Sequence, residues 1–191
     1  MCEFRRAEIL AAARRTFASQ GFSAATMDGI AEAAAVAKGT LYLYFTSKQD
    51  LYLKALETGL TQMLDLTTAA MRSADGIRAK IGAFVETRVR YAEDNRDFYR
   101  IYAESSNAMV PGSITKDFQR LYSRQVAAVE QVLSEAAKRG EIRRLPVRTA
   151  ALTIYDMTRS LIIRRLLDRS KAGVEEDIEF LREFIWAGIM Q

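Results

Sequence analysis

The chain has 191 residues, 49% hydrophobic and 27% charged, with a formal net charge of +4. That balance allows a sizeable core and argues against disorder, and the absence of histidine excludes His-containing metal sites, Ser-His-acid triads and imidazole bases. Cys2 is the only cysteine, so no disulfide can form within the chain and no oxidising compartment is indicated. The charged opening MCEFRRAEIL does not read as a signal peptide, and no apolar run reaches the ~18 residues of a membrane span. The expected location is therefore cytoplasmic, without membrane contact, and no catalytic, metal or cofactor site is expected.

Strand-like alternation is absent and only Pro111 and Pro146 interrupt the chain, so the predicted fold class is all-α. A first helix is expected over Glu3–Ser19, burying Ile9, Leu10, Ala13 and Phe17 and stopping near Gly21. Thr26 is a good N-cap for a second helix with Ile30, Ala31 and Ala34 inward. A break at 35–37 precedes a short third helix over Lys38–Tyr44. Ser47 caps a fourth, which starts at Lys48 and runs roughly to Met71; at about 1.5 Å per residue it could carry a movement across some 30 Å. Ile77 to Tyr91 mark a fifth helix, and Phe98, Ile101 and Tyr102 a sixth. Asn107–Ser113 reads as a loop. Apolar residues from Phe118 to Leu133 predict a seventh helix ending at Lys138, with Gly140 as its stop. Two more close the chain, one after Pro146 using Ala150, Ala151, Ile154, Met157, Thr158, Leu161 and Ile162, the other using Ile178, Leu181, Phe184, Ile185 and Ile189. Both are apolar on more than one face, which suggests burial against their own core and against a second subunit.

The segment TMDGIAEAAAVAKGTLYLYFTSK, residues 26–48, joins two short helices through a three- or four-residue break and ends in aromatics and a lysine. Such a unit presents a short helix to a polyanion. Residues 1–50 carry six Lys/Arg against five acids, a surplus of one, so attraction to phosphate must come from charge placement and backbone N–H groups. Thr26 can cap its helix and touch a phosphate. Lys38 can reach guanine or a phosphate, Gly39 permits close approach, and Thr40 can donate to phosphate or contact a thymine methyl. Leu41 and Phe45 should face inward. Tyr42 and Tyr44 can reach the sugar-phosphate chain, Leu43 a thymine methyl, and Lys48 a phosphate.

These residues resemble the signature of the TetR family of transcriptional regulators, T-x-x-x-I-A-x-x-A-x-V followed by G-T-L-Y-x-x-F-x-x-K and a leucine. The matching positions are Thr26, Ile30, Ala31, Ala34, Val36, Gly39, Thr40, Leu41, Tyr42, Phe45, Lys48 and Leu51. The resemblance implies a three-helix DNA-binding head over 1–47 and a helical ligand-binding and dimerisation body over 48–191. It further implies a homodimer joined through the two C-terminal helices, a palindromic operator in double-stranded DNA, and repression relieved by a small-molecule effector. Two departures stand out. Ala37 occupies the place of a common capping serine, and Ala35 that of a frequent turn glycine. The missing cap is expected to cost about 1 kcal/mol, Ala35 asks the backbone to turn without a residue that favours positive φ, and Gly29 inside the second helix adds up to about 1 kcal/mol relative to alanine.

In the body, aromatic and polar residues on inward patterns are the candidate ligand contacts: Arg88, Tyr91, Tyr102, Glu104, Asn107, Phe118, Tyr122, Gln125, Tyr155 and Arg159. Such a set favours a small, mainly apolar ligand. Two other readings stay open at this point: a helical DNA-tethered interaction protein that senses no metabolite, and an enzyme built on a histidine-free site.

Overall fold

The computed structural model describes the backbone of residues 2–105, 112–167 and 169–189, and the side chains of residues 4–105, 119–167 and 169–189. Among the described residues there are nine helices and no strand: α1 (Cys2–Ala24), α2 (Met27–Ala33), α3 (Lys38–Tyr44), α4 (Lys48–Ser73), α5 (Gly76–Asp94), α6 (Arg96–Glu104), α7 (Gly112–Lys138), α8 (Val147–Leu166) and α9 (Val174–Ile189). None is long and apolar enough to cross a membrane.

Local signals account for most of the boundaries. α1 extends past the expected Ser19, but Gly21 takes φ 78° and ψ 164°, so its regular part does end there. Ser47 Oγ accepts from Asp50 N at 3.1 Å, and Asp50 Oδ2 accepts from Thr46 N at 2.9 Å, a reciprocal cap that starts α4. Gly140, at φ 70°, terminates α7 through Glu141 N donating to Ala136 O at 3.0 Å. Pro146 precedes α8, where its missing N–H is no loss. The loop expected over Asn107–Ser113 needs correction at its end, since Gly112 and Ser113 belong to α7; residues 107–111 lie outside the described residues.

The chain forms two compact units. The first comprises Met1–Thr61 and Asn95–Leu121, with α1 packed on α2 and α6. Its core holds Ile9, Phe17, Phe22, Ile30, Leu41, Phe45, Tyr52, Phe98 and Tyr102, all buried. Tyr52 meets Phe17 and Phe22 edge to face at 5.0 and 5.1 Å, a favoured aromatic geometry. Gly59 allows α4 to close on α6, because a Cβ there would overlap the Phe98 ring.

The second unit comprises Gln62–Asp94 and Tyr122–Gln191. α5 packs on α8 and α9, and Ile81, Phe84, Val129, Leu133, Ile154, Leu161, Ile178 and Ile185 are buried. Arg165 ties three elements together, bonding Glu93 at 2.7 Å and Asp177 at 2.5 Å, while Ser170 Oγ donates to the same Asp177 oxygen at 2.8 Å. The two carboxylates supply the opposite charge that makes so little-exposed a guanidinium tolerable.

Candidate nucleic-acid interface

Thr26 is extended and its Oγ1 accepts from Gly29 N at 3.1 Å, capping α2. Gly29 is more than a weak helix residue, since a Cβ there would lie 3.2 Å from that Oγ1 and crowd the cap. α2 ends in a left-handed turn: Ala35 has φ 52°, Ala35 N donates to Glu32 O, and Val36 N donates to Ala31 O, both at 3.0 Å. This closing pattern normally uses glycine, so the strain expected at Ala35 is present. Ala37 is extended and makes no side-chain cap to α3.

α3 is held by its inward side. Leu41 and Phe45 are buried, whereas Leu43 is 84% exposed and Tyr42 46% exposed. Lys38 and Gly39 lie on the exposed side, with Thr40 and Tyr44 half-buried. A Cβ added at Gly39 meets nothing within 4 Å, so no contact among the described residues requires a glycine there. Lys38 Nζ pairs with Asp28 Oδ1 at 2.7 Å, and this carboxylate raises the lysine pKa, first as hydrogen-bond acceptor and then by its charge. Lys48 is more deeply engaged than expected. Its Nζ donates to Ser23 O at 3.2 Å and Ala25 O at 2.9 Å and lies 4.7 Å over the Phe22 ring, leaving one of three donors for a phosphate.

The candidate ligand residues divide between the units. In the second, Arg88 is buried with its guanidinium carbon 3.8 Å from the Tyr155 ring centre and 5.0 Å from that of Phe84, and Nη1 donates to Tyr155 O at 3.2 Å. Tyr122 stands 4.8 Å from Tyr155, edge to face, and its hydroxyl donates to Asp156 at 2.9 Å. Burial and then the Asp156 hydrogen bond push the Tyr122 phenol up to about 12, with Arg159 close enough to oppose that rise. Gln125 is buried one turn along α7. Tyr91 donates to Gln62 Oε1 at 3.2 Å.

Tyr102 and Glu104 belong instead to the first unit. Tyr102 packs 5.4 Å from Tyr99, and Glu104 Oε1 accepts from Phe22 N at 3.2 Å. Asn107 and the Phe118 side chain lie outside the described residues. Sequence reasoning missed Asp28 as the partner of Lys38; a carboxylate in the first turn of α2 was the available signal. For Glu104 meeting Phe22, no local signal existed.

α8 and α9 also leave an apolar surface. Phe180 and Phe184 stack at 5.9 Å while 64% and 58% exposed. Beside them Pro146, Ala150, Ile154, Met157, Phe184 and Ile189 line a cleft of about 290 Å³.

Residues 9–55 match the family model described as bacterial regulatory proteins, tetR family, and residues 74–163 match a Tetracyclin repressor-like C-terminal domain. The HTH-type transcriptional activator FasR of Mycolicibacterium smegmatis is 33% identical over 69% of this chain and 54% of its own length. The chain thus spans about half of that relative. The HTH-type transcriptional repressor SCO4008 of Streptomyces coelicolor is 29% identical over 84% of both chains. Among solved structures, the transcriptional regulator FadR from Bacillus subtilis in complex with stearoyl-CoA superposes with a TM-score of 0.88 at 19% identity, covering 96% of this chain and 99% of that one.

Proposed function

The chain belongs to the TetR family of DNA-binding transcriptional regulators, and from that premise we propose that it is a homodimeric repressor released from a palindromic operator by a small, mainly apolar ligand. Residues 1–47 form the DNA-binding domain and 48–191 the ligand and dimer domain. α3 enters the major groove with Lys38, Gly39, Tyr42 and Leu43 facing it, flanked by Thr26, Thr40, Tyr44 and the remaining donor of Lys48.

The observation that carries this reading is the exposed face of α3. A leucine 84% exposed beside a glycine that no internal contact requires is poorly explained by stability and well explained by close contact with a base edge. Two such helices, about 34–36 Å apart, reach successive turns of one groove face. The stacked Phe180 and Phe184 and the adjoining cleft support α8 and α9 as the dimer surface.

For the effector, the cluster of Arg88, Tyr122, Tyr155 and Asp156, with Gln125 and Arg159 nearby, supports a ligand carrying one polar end. The acyl-CoA complex of the FadR neighbour makes a long acyl thioester the first compound to test. Release by 100-fold requires a coupling of about 2.7 kcal/mol.

The test is selection by the full-length protein from a random-sequence duplex pool, followed by titration of the enriched duplex with stearoyl-CoA and with CoA alone. An enriched inverted repeat whose binding stearoyl-CoA weakens is the expected result. Enrichment of nothing would remove the DNA assignment, and binding indifferent to both compounds would remove this ligand class.

A further inference from the structure

The turn between α1 and α2 directly precedes the DNA-reading helices and is held by side chains from two other elements. At Gly21 the backbone leaves the helical region, so the N–H of Phe22 needs an acceptor from elsewhere. Glu104 supplies it, with Oε1 3.2 Å away across 82 residues of sequence. From α4, Lys48 Nζ donates to the carbonyls of Ser23 and Ala25 and lies over the Phe22 ring. One carboxylate and one ammonium thus hold three backbone groups of the turn. The next residue is Thr26, the cap of α2.

Two features mark the Glu104 contact as built. Glu104 is the last residue of α6, where an acid meets the negative end of the helix dipole, so α6 gains nothing from it locally. Beneath it lies Gly21, where a Cβ would sit 3.1 Å from Glu104 Oε1 and would also need a φ of 78°. α6 itself is pinned, because the Tyr52 hydroxyl donates to Ile101 O at 2.9 Å and Gly59 admits the Phe98 ring. The carboxylate is therefore delivered from a fixed platform.

We propose that Glu104 is a positioning residue for DNA reading: together with Lys48 it sets the α1–α2 turn, and through it the arrangement in which Thr26 and α3 meet the duplex. It touches no nucleotide. This role rests on α3 being the reading helix.

The experiment compares full-length wild type, Glu104→Ala and Glu104→Gln on two duplexes at matched salt, one selected by the wild-type protein from a random pool and one scrambled. Amide exchange at Phe22 is followed in each protein. The expected result is a loss of about 10-fold on the selected duplex for Glu104→Ala and of less than about twofold on the scrambled one. Phe22 exchange should quicken, and Glu104→Gln, which keeps an acceptor oxygen, should stay within about 3-fold of wild type.

Equal losses on both duplexes, or wild-type affinity in Glu104→Ala, would overturn the proposal. If Glu104→Ala does not fold, Glu104→Asp decides, since it keeps the charge but draws the acceptor back from Phe22 N by one methylene: a loss confined to the selected duplex with quicker Phe22 exchange supports the role, and wild-type behaviour in both measurements refutes it. A wild-type protein that enriches no sequence would remove α3 as reader and this role with it, an outcome separate from an unselective loss.

Discussion

Lys38 Nζ lies 2.7 Å from Oδ1 of Asp28, so the first turn of α3, the proposed DNA-reading helix, is tied to the first turn of α2. Both side chains are exposed, and a pair of this kind adds little to stability, about 0–1 kcal/mol. Its consequence is directional, because the carboxylate holds the ammonium in place and, in the proposed complex with DNA, stands as a negative charge near phosphate.

Asp28→Asn should leave the thermal midpoint almost unchanged while raising affinity for scrambled duplex by about 3- to 10-fold and steepening its salt dependence. Discrimination between selected and scrambled duplexes should narrow. Binding isotherms at several salt concentrations decide it: unchanged scrambled-duplex affinity would show that Asp28 does not modulate the approach to DNA. In the same assay, Lys38→Met should change preference among sequences if Lys38 reads a base, and should weaken all of them alike if it grips phosphate.

Gly39→Ala separates stability from recognition. Alanine has the higher helix propensity and meets no neighbour at this position, so stability should hold or rise by up to about 1 kcal/mol. The added methyl would face the groove, and selected-duplex affinity should fall by about 10-fold. Denaturant unfolding alongside DNA titration checks both halves, and a variant that binds as tightly as wild type would show that no close approach occurs there.

Ala35→Gly and Ala37→Ser address the turn. Glycine relieves the left-handed strain at φ 52°, and serine supplies the side-chain cap that α3 lacks; each should stabilise by about 1 kcal/mol. Amide exchange in residues 26–45 should slow in the double variant. If those amides are already as protected in the wild type as residues 150–190, the head is not softened by these two alanines.

Phe180→Glu with Phe184→Glu should convert the dimer to a monomer, because each ring loses an apolar partner and a charge would enter the contact. Sedimentation at micromolar concentration reads the outcome directly. Selected-duplex affinity should drop by more than about 10-fold, since one head would bind one half-site. Persistence of the dimer would place its interface elsewhere.

Much of this protein is legible in its sequence. Helical periodicity, the Thr26 and Ser47 caps, the Gly140 stop and the strain at Ala35 each depend on residues within about a turn of one another, so the string carries them. The exposed face of α3 follows from the same spacing once Leu41 and Phe45 point inward. The body was less legible, because an arginine stem on a long helix can cover a core or enter it, and only packing put Arg88 inside between Phe84 and Tyr155.

What the amino-acid order determined by itself is the set of helices, their caps and the helix-turn-helix motif, all products of short-range hydrogen bonding and side-chain periodicity. Tertiary structure alone decided that Glu104 serves the α1–α2 turn, that Lys48 turns toward Ser23 and Ala25, and that Asp28 holds Lys38. Those contacts join residues 82, 25, 23 and 10 positions apart. No local periodicity encodes such pairs; they arise when buried apolar surfaces dock the helices and leave a charged group facing an unsatisfied backbone donor or acceptor, or an opposite charge, across the gap.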